Sequence, residues 1–372
     1  MRVVLERSNL LKSLGHVHRV VERRNTIPIL SNVLLSVDGN SLEMKATDLD
    51  LEVTEAAPAS IEQAGATTVP SHLLYGIVRK LHAGAEVMLK KDESGQSLSV
   101  ISGRSNFRLQ CLPQADFPAL TAGQFSHIFR LDSGSLRNLI EKTQFAISTE
   151  ETRYYLNGIY LHTIESDGVL KLRAVATDGH RLARAEIEAP AGSEGMPGII
   201  IPRKTVSELQ KLVDDPDVAA TVELSDTKIR LTIGSVILTS KLIDGTFPDY
   251  QRVIPTGNDK ELVIDRQSFS AAVDRVSTVS SERGRAVKLS LTQGQVTLTV
   301  NNPDSGSATE EIPAGYDADP IEIGFNARYL LDVAAQLSGS EAKFLLADAG
   351  SPTLIQDTSD ERTLYVLMPM RV

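Results

Sequence analysis

The chain is organised around one stretch, Ala176-Thr177-Asp178-Gly179-His180-Arg181-Leu182. It follows the apolar run 170–175 and precedes a second short strand. Its Asp-Gly pair is typical of a tight turn, because Gly accepts positive φ and Asp can hydrogen-bond nearby backbone. One interpretation makes Asp178 and His180 an acid/base pair. A second makes the segment a polar turn whose Leu182 fills a core, and a third makes it one wall of a surface groove for partner peptides.

Composition indicates a soluble globular protein of several domains. The chain has 372 residues, of which 41% are hydrophobic and 23% charged, as is usual for such proteins. It contains no run of about 18 apolar residues, so we expect no membrane span, and the N-terminus lacks the apolar core of a signal peptide. Cys111 is the single cysteine and excludes an intrachain disulfide. Together these features predict a cytoplasmic protein.

The sequence repeats one plan three times. Each copy opens with a short strand, an acidic residue (Glu6, Asp132 or Asp265) and then a helical pattern. Asp132 and Asp265 suit helix N-caps, because a carboxylate accepts hydrogen bonds from the unpaired N–H groups there. A second strand–helix unit and hairpin-like strands follow, and the copies end at Phe-Pro, Phe-Pro and Met-Pro.

This repeat predicts an α+β fold of three domains, with boundaries at 1–125, 126–257 and 258–372. We expect each domain to contain two antiparallel β-sheets packed face to face and two helices on one side, since layered packing buries the apolar faces of both.

Basic charge is concentrated in the predicted helices, although the net charge is −10. The six helices and their flanks contain 18 Lys and Arg against 8 Asp and Glu, so they carry +10 and the rest of the chain −20. The segments counted are 7–24, 71–82, 133–153, 203–211, 266–285 and 327–337. If the helices share one side, that side can attract phosphates; alternatively, the cations are simply solvated helix faces. Because no base-reading motif is present, any DNA contact should be to the backbone.

Two other functions compete with DNA binding. An enzyme could use Asp178 and His180, but the sequence contains no phosphate loop, nucleophile elbow or metal-ligand spacing. His16 and His18 are the best metal-like pair, yet their i,i+2 spacing places the rings on different faces of a helix. A peptide-binding scaffold that never touches DNA would explain the net acidity. The sequence therefore predicts no catalytic residue, metal or cofactor.

The chain resembles the bacterial DNA sliding clamp family, the β subunits of the DNA polymerase III holoenzyme. The resemblance covers the whole chain and is carried by the following segments: 24–30 (RNTIPIL), 46–52 (ATDLDLE), 153–158 (RYYLNG), 176–182 (ATDGHRL), 247–253 (FPDYQRV) and 365–372 (YVLMPMRV).

The resemblance implies the DNA-clamp fold and a head-to-tail homodimer closed into a ring around duplex DNA. Such a ring is a non-catalytic processivity factor, and its helices line the hole. The partners implied are double-stranded DNA, the polymerase III catalytic subunit, the clamp loader, and other polymerases and repair proteins with clamp-binding peptides. For DNA contact it implies Arg24, Tyr154 and Tyr155. For the subunit seam it implies Phe107 and Leu109 facing Thr278 and Val279.

The resemblance also implies a partner-peptide groove between the second and third domains. Met and Leu would accommodate varied apolar anchors, and polar groups would bind peptide carbonyls or a Gln side chain. Two positions depart from the family pattern and affect the shape of the groove: Gly284 stands where an aromatic is expected, and Pro352 where some relatives carry a small polar residue. The groove positions are Leu156, Thr177, Gly179, His180, Arg181, Leu182, Pro248, Arg252, Val253, Asn326, Tyr329, Val366, Met368, Pro369, Met370 and Arg371.

Overall fold

The computed structural model describes residues 1–120, 123–213, 218–280 and 285–372. This part of the chain forms six α-helices, two for each sequence repeat: α1 (Arg7–Val17), α2 (Ser71–Lys80), α3 (Ser133–Glu141), α4 (Arg203–Leu212), α5 (Arg266–Ser277) and α6 (Ala327–Gln336). The two predicted N-caps are confirmed, since Asp132 accepts from Ser135 N at 2.7 Å and Asp265 from Ser268 N at 2.7 Å. None of these helices has the length and apolar character that crossing a bilayer requires.

Short strands make up most of the remaining ordered chain. The first repeat contains β1 (Arg2–Glu6), β2 (Asn32–Asp38), β3 (Ser41–Thr47), β4 (Leu51–Pro58), β5 (Ser60–Gln63), β6 (Ala66–Pro70), β7 (Glu86–Lys91), β8 (Ser97–Ser102) and β9 (Ser105–Gln110). The second contains β10 (His127–Asp132), β11 (Gly158–Ser166), β12 (Val169–Thr177), β13 (Arg181–Glu188), β14 (Ile199–Pro202), β15 (Ala219–Leu224), β16 (Lys228–Ile233) and β17 (Val236–Lys241). The third contains β18 (Lys260–Asp265), β19 (Ala286–Thr292), β20 (Gln295–Asn302), β21 (Gly306–Pro313), β22 (Gly315–Tyr316), β23 (Ile321–Asn326), β24 (Glu341–Leu346), β25 (Thr353–Asp357) and β26 (Asp360–Leu367).

The described residues form two compact units. The first comprises 1–136, 190–196 and 207–242, and the second 137–189, 197–206 and 243–372. Unit 1 contains a five-stranded sheet, β5-β1-β7-β8-β9, and an eight-stranded sheet, β10-β15-β16-β17-β4-β3-β2-β6. Unit 2 contains a nine-stranded sheet, β14-β11-β12-β13-β26-β25-β24-β18-β22, and a four-stranded sheet, β21-β20-β19-β23. The predicted α+β fold of antiparallel sheets and helix pairs is confirmed, and the domain boundaries at 125 and 257 stay a prediction.

Two strand pairings join neighbouring repeats into continuous sheets. In unit 1, β4 of the first repeat pairs with β17, the last strand of the second. In unit 2, β13 of the second repeat pairs with β26, the last strand of the third. The sequence plan predicted sheets within each repeat but not these long-range pairings.

The cores follow the apolar alternation of the strands and the helical stripes. In unit 1, α1 packs on α2, β3 and β4 and buries Leu10, Leu14 and Val17. In unit 2, α5 packs on α6, and Phe269 meets Phe344 edge-on at 5.3 Å between ring centroids. These helix pairs therefore stand on sheets, as the repeat pattern predicted.

Candidate functional site

The turn between β12 and β13 is fixed by its own side chains. Thr177 Oγ1 accepts from Gly179 N at 3.1 Å, and Asp178 Oδ1 accepts from His180 N and Arg181 N at 2.9 and 3.0 Å. Gly179 has φ +88°, the left-handed conformation that Gly adopts most readily. The carboxylate of Asp178 thus serves the backbone of the turn, which favours a structural role over acid/base chemistry with His180.

The Arg181 side chain makes three hydrogen bonds, all to residues of unit 2. Nε donates to Asp178 Oδ2 at 3.0 Å, Nη1 to Asp332 Oδ2 at 2.6 Å, and Nη2 to the carbonyl of Phe145 at 2.6 Å. The guanidinium also lies 4.2 Å from the Tyr329 ring centroid and 5.2 Å from that of Phe145. Arg181 therefore fixes the turn against α6, and its planar fork is already used for internal bonds.

An apolar cluster lies beneath the predicted groove positions. Leu156, Leu182 and Val366 are buried members of it. They form a floor rather than exposed contacts, because each is surrounded by other side chains of unit 2. The cluster is completed by Val175, Ile200, Phe247, Tyr250, Leu354 and Leu364, with Tyr155, Tyr160, Ile243, Ile254 and Leu345 packed at its edge.

The segment 247–253 covers one side of this cluster. Phe247 and Tyr250 point into it and are buried, whereas Pro248, Arg252 and Val253 are exposed. The last four residues form a 3₁₀ turn, Tyr250–Val253. The buried aromatics therefore anchor the segment, and its exposed residues are the ones available to a partner. We call 247–253 the connector.

The C-terminal tail, residues 368–372, bonds to the turn and to β23. After β26 ends, Met368 N donates to the carbonyl of His180 at 2.9 Å, and Met370 N donates to the carbonyl of Gly324 at 2.8 Å. A Cβ at Gly324 would lie 2.6 Å from the Met370 carbonyl oxygen and 2.4 Å from Val372 Cγ1. The tail can lie flat on β23 because position 324 has no side chain. Met368 and Arg371 are exposed, and Pro369 and Met370 are half-buried.

The N-terminus of α6 supplies the last predicted positions. Asn326 is its N-cap and accepts from Arg328 N at 3.0 Å, so the side-chain oxygen is occupied and the amide nitrogen is the group left to donate. Burial raises the pKa of Tyr329 above its usual value, so the phenol stays protonated near neutral pH.

All the predicted groove positions lie in unit 2: on the turn and the start of β13, the connector, β26 and the tail, and the N-terminal end of α6, with Leu156 on the 3₁₀ segment Glu151–Leu156. Sequence reasoning missed Phe145, Asp332 and Gly324, which hold the others in place. An i,i+4 relation between Arg328 and Asp332 was visible, but the contact of Asp332 with Arg181 spans 151 positions.

Gly284 lies outside the described residues. Pro352 precedes β25, and its carbonyl accepts from Asn258 Nδ2 at 2.9 Å.

The residues predicted to contact DNA are divided between the two units. Arg24 is exposed in unit 1, in the loop after α1. In unit 2, Tyr154 is 53% exposed and Tyr155 packs on the cluster, so Tyr154 is the more accessible ring.

The predicted seam residues divide in the same way. On β9 of unit 1, Phe107 is 37% exposed and Leu109 is buried. In unit 2, Thr278 caps the C-terminus of α5 and is exposed, and Val279 follows it. Among the described residues, no group of three His, Cys, Asp or Glu side chains is placed to hold a metal ion.

Comparison with known proteins finds relatives that match the chain over its full length. Models of the DNA polymerase III beta subunit match its N-terminal domain at residues 1–121, its central domain at 130–249 and its C-terminal domain at 251–371. The beta sliding clamp of Caulobacter vibrioides is 52% identical, with 100% of both chains covered. A sliding clamp (DNA polymerase III subunit beta) from Bartonella birtlesii, solved bound to griselimycin, is 61% identical with TM-score 0.98 and 100% of both chains covered. The Caulobacter crescentus beta sliding clamp, solved with PEG bound to a putative beta-motif tethering region, has TM-score 0.96 at 52% identity, covering 100% of this chain and 99% of that one.

Proposed function

Because the chain belongs to the DNA polymerase III beta subunit family of sliding clamps, we propose that two copies close head to tail into a ring around duplex DNA. Members of this family are non-catalytic processivity factors of DNA replication. The ring would hold polymerases on DNA through the groove between the second and third repeats. Replication of a bacterial chromosome takes place in the cytoplasm, and we place the protein there.

One observation carries the proposal of a head-to-tail dimer. Within the chain, the fourth long strand of one repeat pairs with the last strand of the next, as β4 with β17 and β13 with β26. The corresponding strands that remain are β21 of the third repeat and β9 of the first. Within the described ranges, each has one neighbour, β20 and β8 respectively. Pairing β21 of one copy with β9 of another would repeat the same junction and cover both sheet edges.

The side chains beside these edges suit such a seam. Phe107 projects from β9 next to a surface pocket of about 430 Å³ lined by α2 residues, among them Leu73 and Ile77. Leu109, two residues further along β9, is buried, and we propose that Thr278 and Val279 of the partner complete the contact. An exposed apolar patch of this kind, next to an edge strand, is typical of subunit interfaces.

DNA would be held by charge without sequence preference. The helices and their flanks are the basic part of the chain, and the proposed contacts are Arg24 with the Tyr154–Tyr155 loop. Part of the helical charge is used internally. Arg7 donates to carbonyls at the end of α2, and Lys142 to Ser338 Oγ at 2.9 Å beyond α6. Phosphate contacts of this sort are salt-sensitive, so retention on DNA would come from ring closure.

The groove would take short peptides with apolar anchors from several partners. The proposed partners are the polymerase III catalytic subunit, the clamp loader, and other polymerases and repair proteins. The exposed Met368 and Val253 above a buried floor support this proposal, because flexible Met and aliphatic side chains adapt to different anchors. The Bartonella relative was solved with griselimycin and the Caulobacter relative with PEG, and we propose that this chain binds ligands as well.

Retention on circular and linear DNA tests the ring. The protein is loaded with clamp loader and ATP on nicked circular or linear duplex and passed over a sizing column at high salt. Retention on the circle and loss from the line are expected, because a closed ring leaves only at a DNA end. Equal loss from both would contradict encirclement and favour a scaffold that does not use DNA.

A matched pair of variants tests the seam. Phe107→Glu should dissociate the dimer and abolish retention on the circle, because it places a charge in an apolar contact. Ile128→Glu changes another exposed apolar residue of unit 1 and should leave both unchanged. Dimerisation measured by analytical ultracentrifugation that is the same in both variants would argue against this seam.

A further inference from the structure

A buried hydrogen-bonded chain lies beneath the connector. Arg173 Nη1 donates to the Tyr250 hydroxyl at 3.0 Å, and that hydroxyl lies 3.0 Å from His162 Nε2. Arg173 also donates from Nε to Glu186 at 2.8 Å. Tyr250, Arg173 and His162 are 5%, 6% and 9% exposed, so this is a polar group of contacts inside an otherwise apolar region.

The direction of each hydrogen bond in the chain can be assigned. His162 Nδ1 lies 3.1 Å from the carbonyl of Thr163, which only accepts, so Nδ1 carries the proton and Nε2 is the acceptor. The Tyr250 hydroxyl therefore donates to His162 and accepts from Arg173. Burial lowers the pKa of His162, which favours the neutral ring that this arrangement requires.

Ring stacking reinforces the same attachment. Phe247 stacks on Tyr160 with centroids 4.8 Å apart and planes 6° from parallel, and Tyr160 stacks on His162 at 4.7 Å. The connector is therefore anchored to β11 at its first residue, Phe247, through a ring and at its middle residue, Tyr250, through a hydroxyl. Between and just after these anchors stand the exposed Pro248, Arg252 and Val253.

We propose that Tyr250 is a positioning residue for peptide binding: its hydroxyl, held by Arg173 and His162, sets the position of the connector wall over the apolar floor. This inference rests on the proposed function of the groove. The floor and the anchor belong to one cluster, so a shift of Tyr250 moves the wall relative to Leu182 and Val366. A partner would never touch the hydroxyl itself.

The test compares two buried tyrosines in the same unit. Tyr250→Phe removes the hydroxyl and keeps the ring. Tyr316→Phe is the matched control, because Tyr316 is also buried and its hydroxyl donates to the Asp319 carbonyl at 2.5 Å. The probe is a fluorescein-labelled synthetic peptide with one glutamine and two apolar anchors, leucine and phenylalanine, and affinity is measured by fluorescence anisotropy.

Tyr250→Phe should weaken peptide binding by about tenfold, because Arg173 and His162 lose a buried partner and the wall is no longer fixed. Tyr316→Phe should change affinity by less than about twofold, because a similar loss of a hydroxyl occurs away from the connector. Both should dimerise as the wild type does in analytical ultracentrifugation, because neither tyrosine lies at the proposed seam. Equal peptide affinities in the two variants would overturn the inference about Tyr250. Failure of the wild-type protein to bind the peptide would instead contradict the proposed groove.

A double-mutant cycle separates positioning from general loss of stability. Val253→Ala should weaken binding in the wild-type background and much less in the Tyr250→Phe background, because the displaced wall no longer presents Val253. Independent, multiplicative losses would show that Tyr250 does not act through the wall and would contradict the proposal.

Discussion

The chain contains two Thr-Asp turns of the same construction, one in each compact unit, and they differ in what surrounds them. In the first, Thr47 Oγ1 accepts from Leu49 N at 3.0 Å, and Asp48 Oδ1 accepts from the N–H groups of Asp50 and Leu51 at 3.0 and 2.7 Å. The turn at 177–181 repeats these bonds. Each turn also accepts a backbone hydrogen bond from the end of the next repeat: Lys241 N donates to the Asp50 carbonyl, and Met368 N, just after β26, donates to the His180 carbonyl.

The two turns differ in their side chains. In unit 1, Leu51 is buried, and Asp50 pairs with Lys241 Nζ at 2.9 Å across the junction. In unit 2, the equivalent positions are Arg181, which fixes α6, and His180, which stands beside the exposed Met368. The same backbone junction therefore occurs in both units, and the two copies differ in the side chains at its last two positions, Asp50 and Leu51 in unit 1 and His180 and Arg181 in unit 2. The Thr-Asp pattern alone does not identify the functional site.

Replacing the residue at the end of each turn should change the free energy of unfolding the most. Arg181→Ala should lower the free energy of unfolding by about 2–3 kcal/mol, because two carboxylates lose a charged donor. Leu51→Ala should lower it by about 2–4 kcal/mol through a cavity. Urea denaturation measures both values.

Peptide affinity distinguishes these two variants. Arg181→Ala should bind the labelled peptide at least about tenfold more weakly, because Tyr329 loses the group that packs against it, whereas Leu51→Ala should bind normally. A comparable loss in both would mean that the junctions are functionally equivalent.

The next effect concerns the tail beside the second turn. Gly324→Ala should displace Met370 and weaken peptide binding by about tenfold, because a backbone carbonyl cannot yield to the added methyl group as a flexible side chain can. Gly257→Ala is the control, since a Cβ there has no neighbour within 4 Å. Anisotropy measurements that do not distinguish the two variants would exclude a role for the flat tail.

Substitutions at the positive-φ residue of each turn should change the free energy of unfolding less. Gly179→Ala should cost about 1–2 kcal/mol, because an L-residue is strained at φ +88°. Leu49 already adopts φ +80°, so Leu49→Gly should relieve strain, lose some packing, and change the unfolding free energy by less than about 1 kcal/mol. Differential scanning calorimetry gives both shifts, and a strongly stabilising Leu49→Gly would show that packing of Leu49 contributes little.

The smallest effect should come from the ion pair of the first turn. Lys241→Ala should change stability by less than about 0.5 kcal/mol, since Lys241 and Asp50 are largely exposed and salt screens them. It should not create peptide binding, because the buried Leu51 and not the ion pair distinguishes this turn. Peptide capture by this variant would show instead that the pair closes a second groove.

Local features were predictable from the sequence. The helical stripes, the hairpins, and the N-caps at Asp132 and Asp265 depend on neighbours a few positions away, and the structure confirms them. The repeat itself predicted the fold class, since each copy has the same apolar pattern to bury.

Long-range features were decided by tertiary structure. The pairing of β4 with β17 and of β13 with β26 joins residues far apart along the chain, and many alternating strands could have satisfied the same pattern. The sequence placed Arg181 in the predicted groove but did not show that Asp332 and the Phe145 carbonyl hold its side chain, because these partners reach it only after folding. The sequence by itself determined the repeated units and their helices, and the groove residues stay a prediction. Only the packing of the sheets decided which side chains surround each of the two equivalent turns, because those side chains are brought together from distant segments.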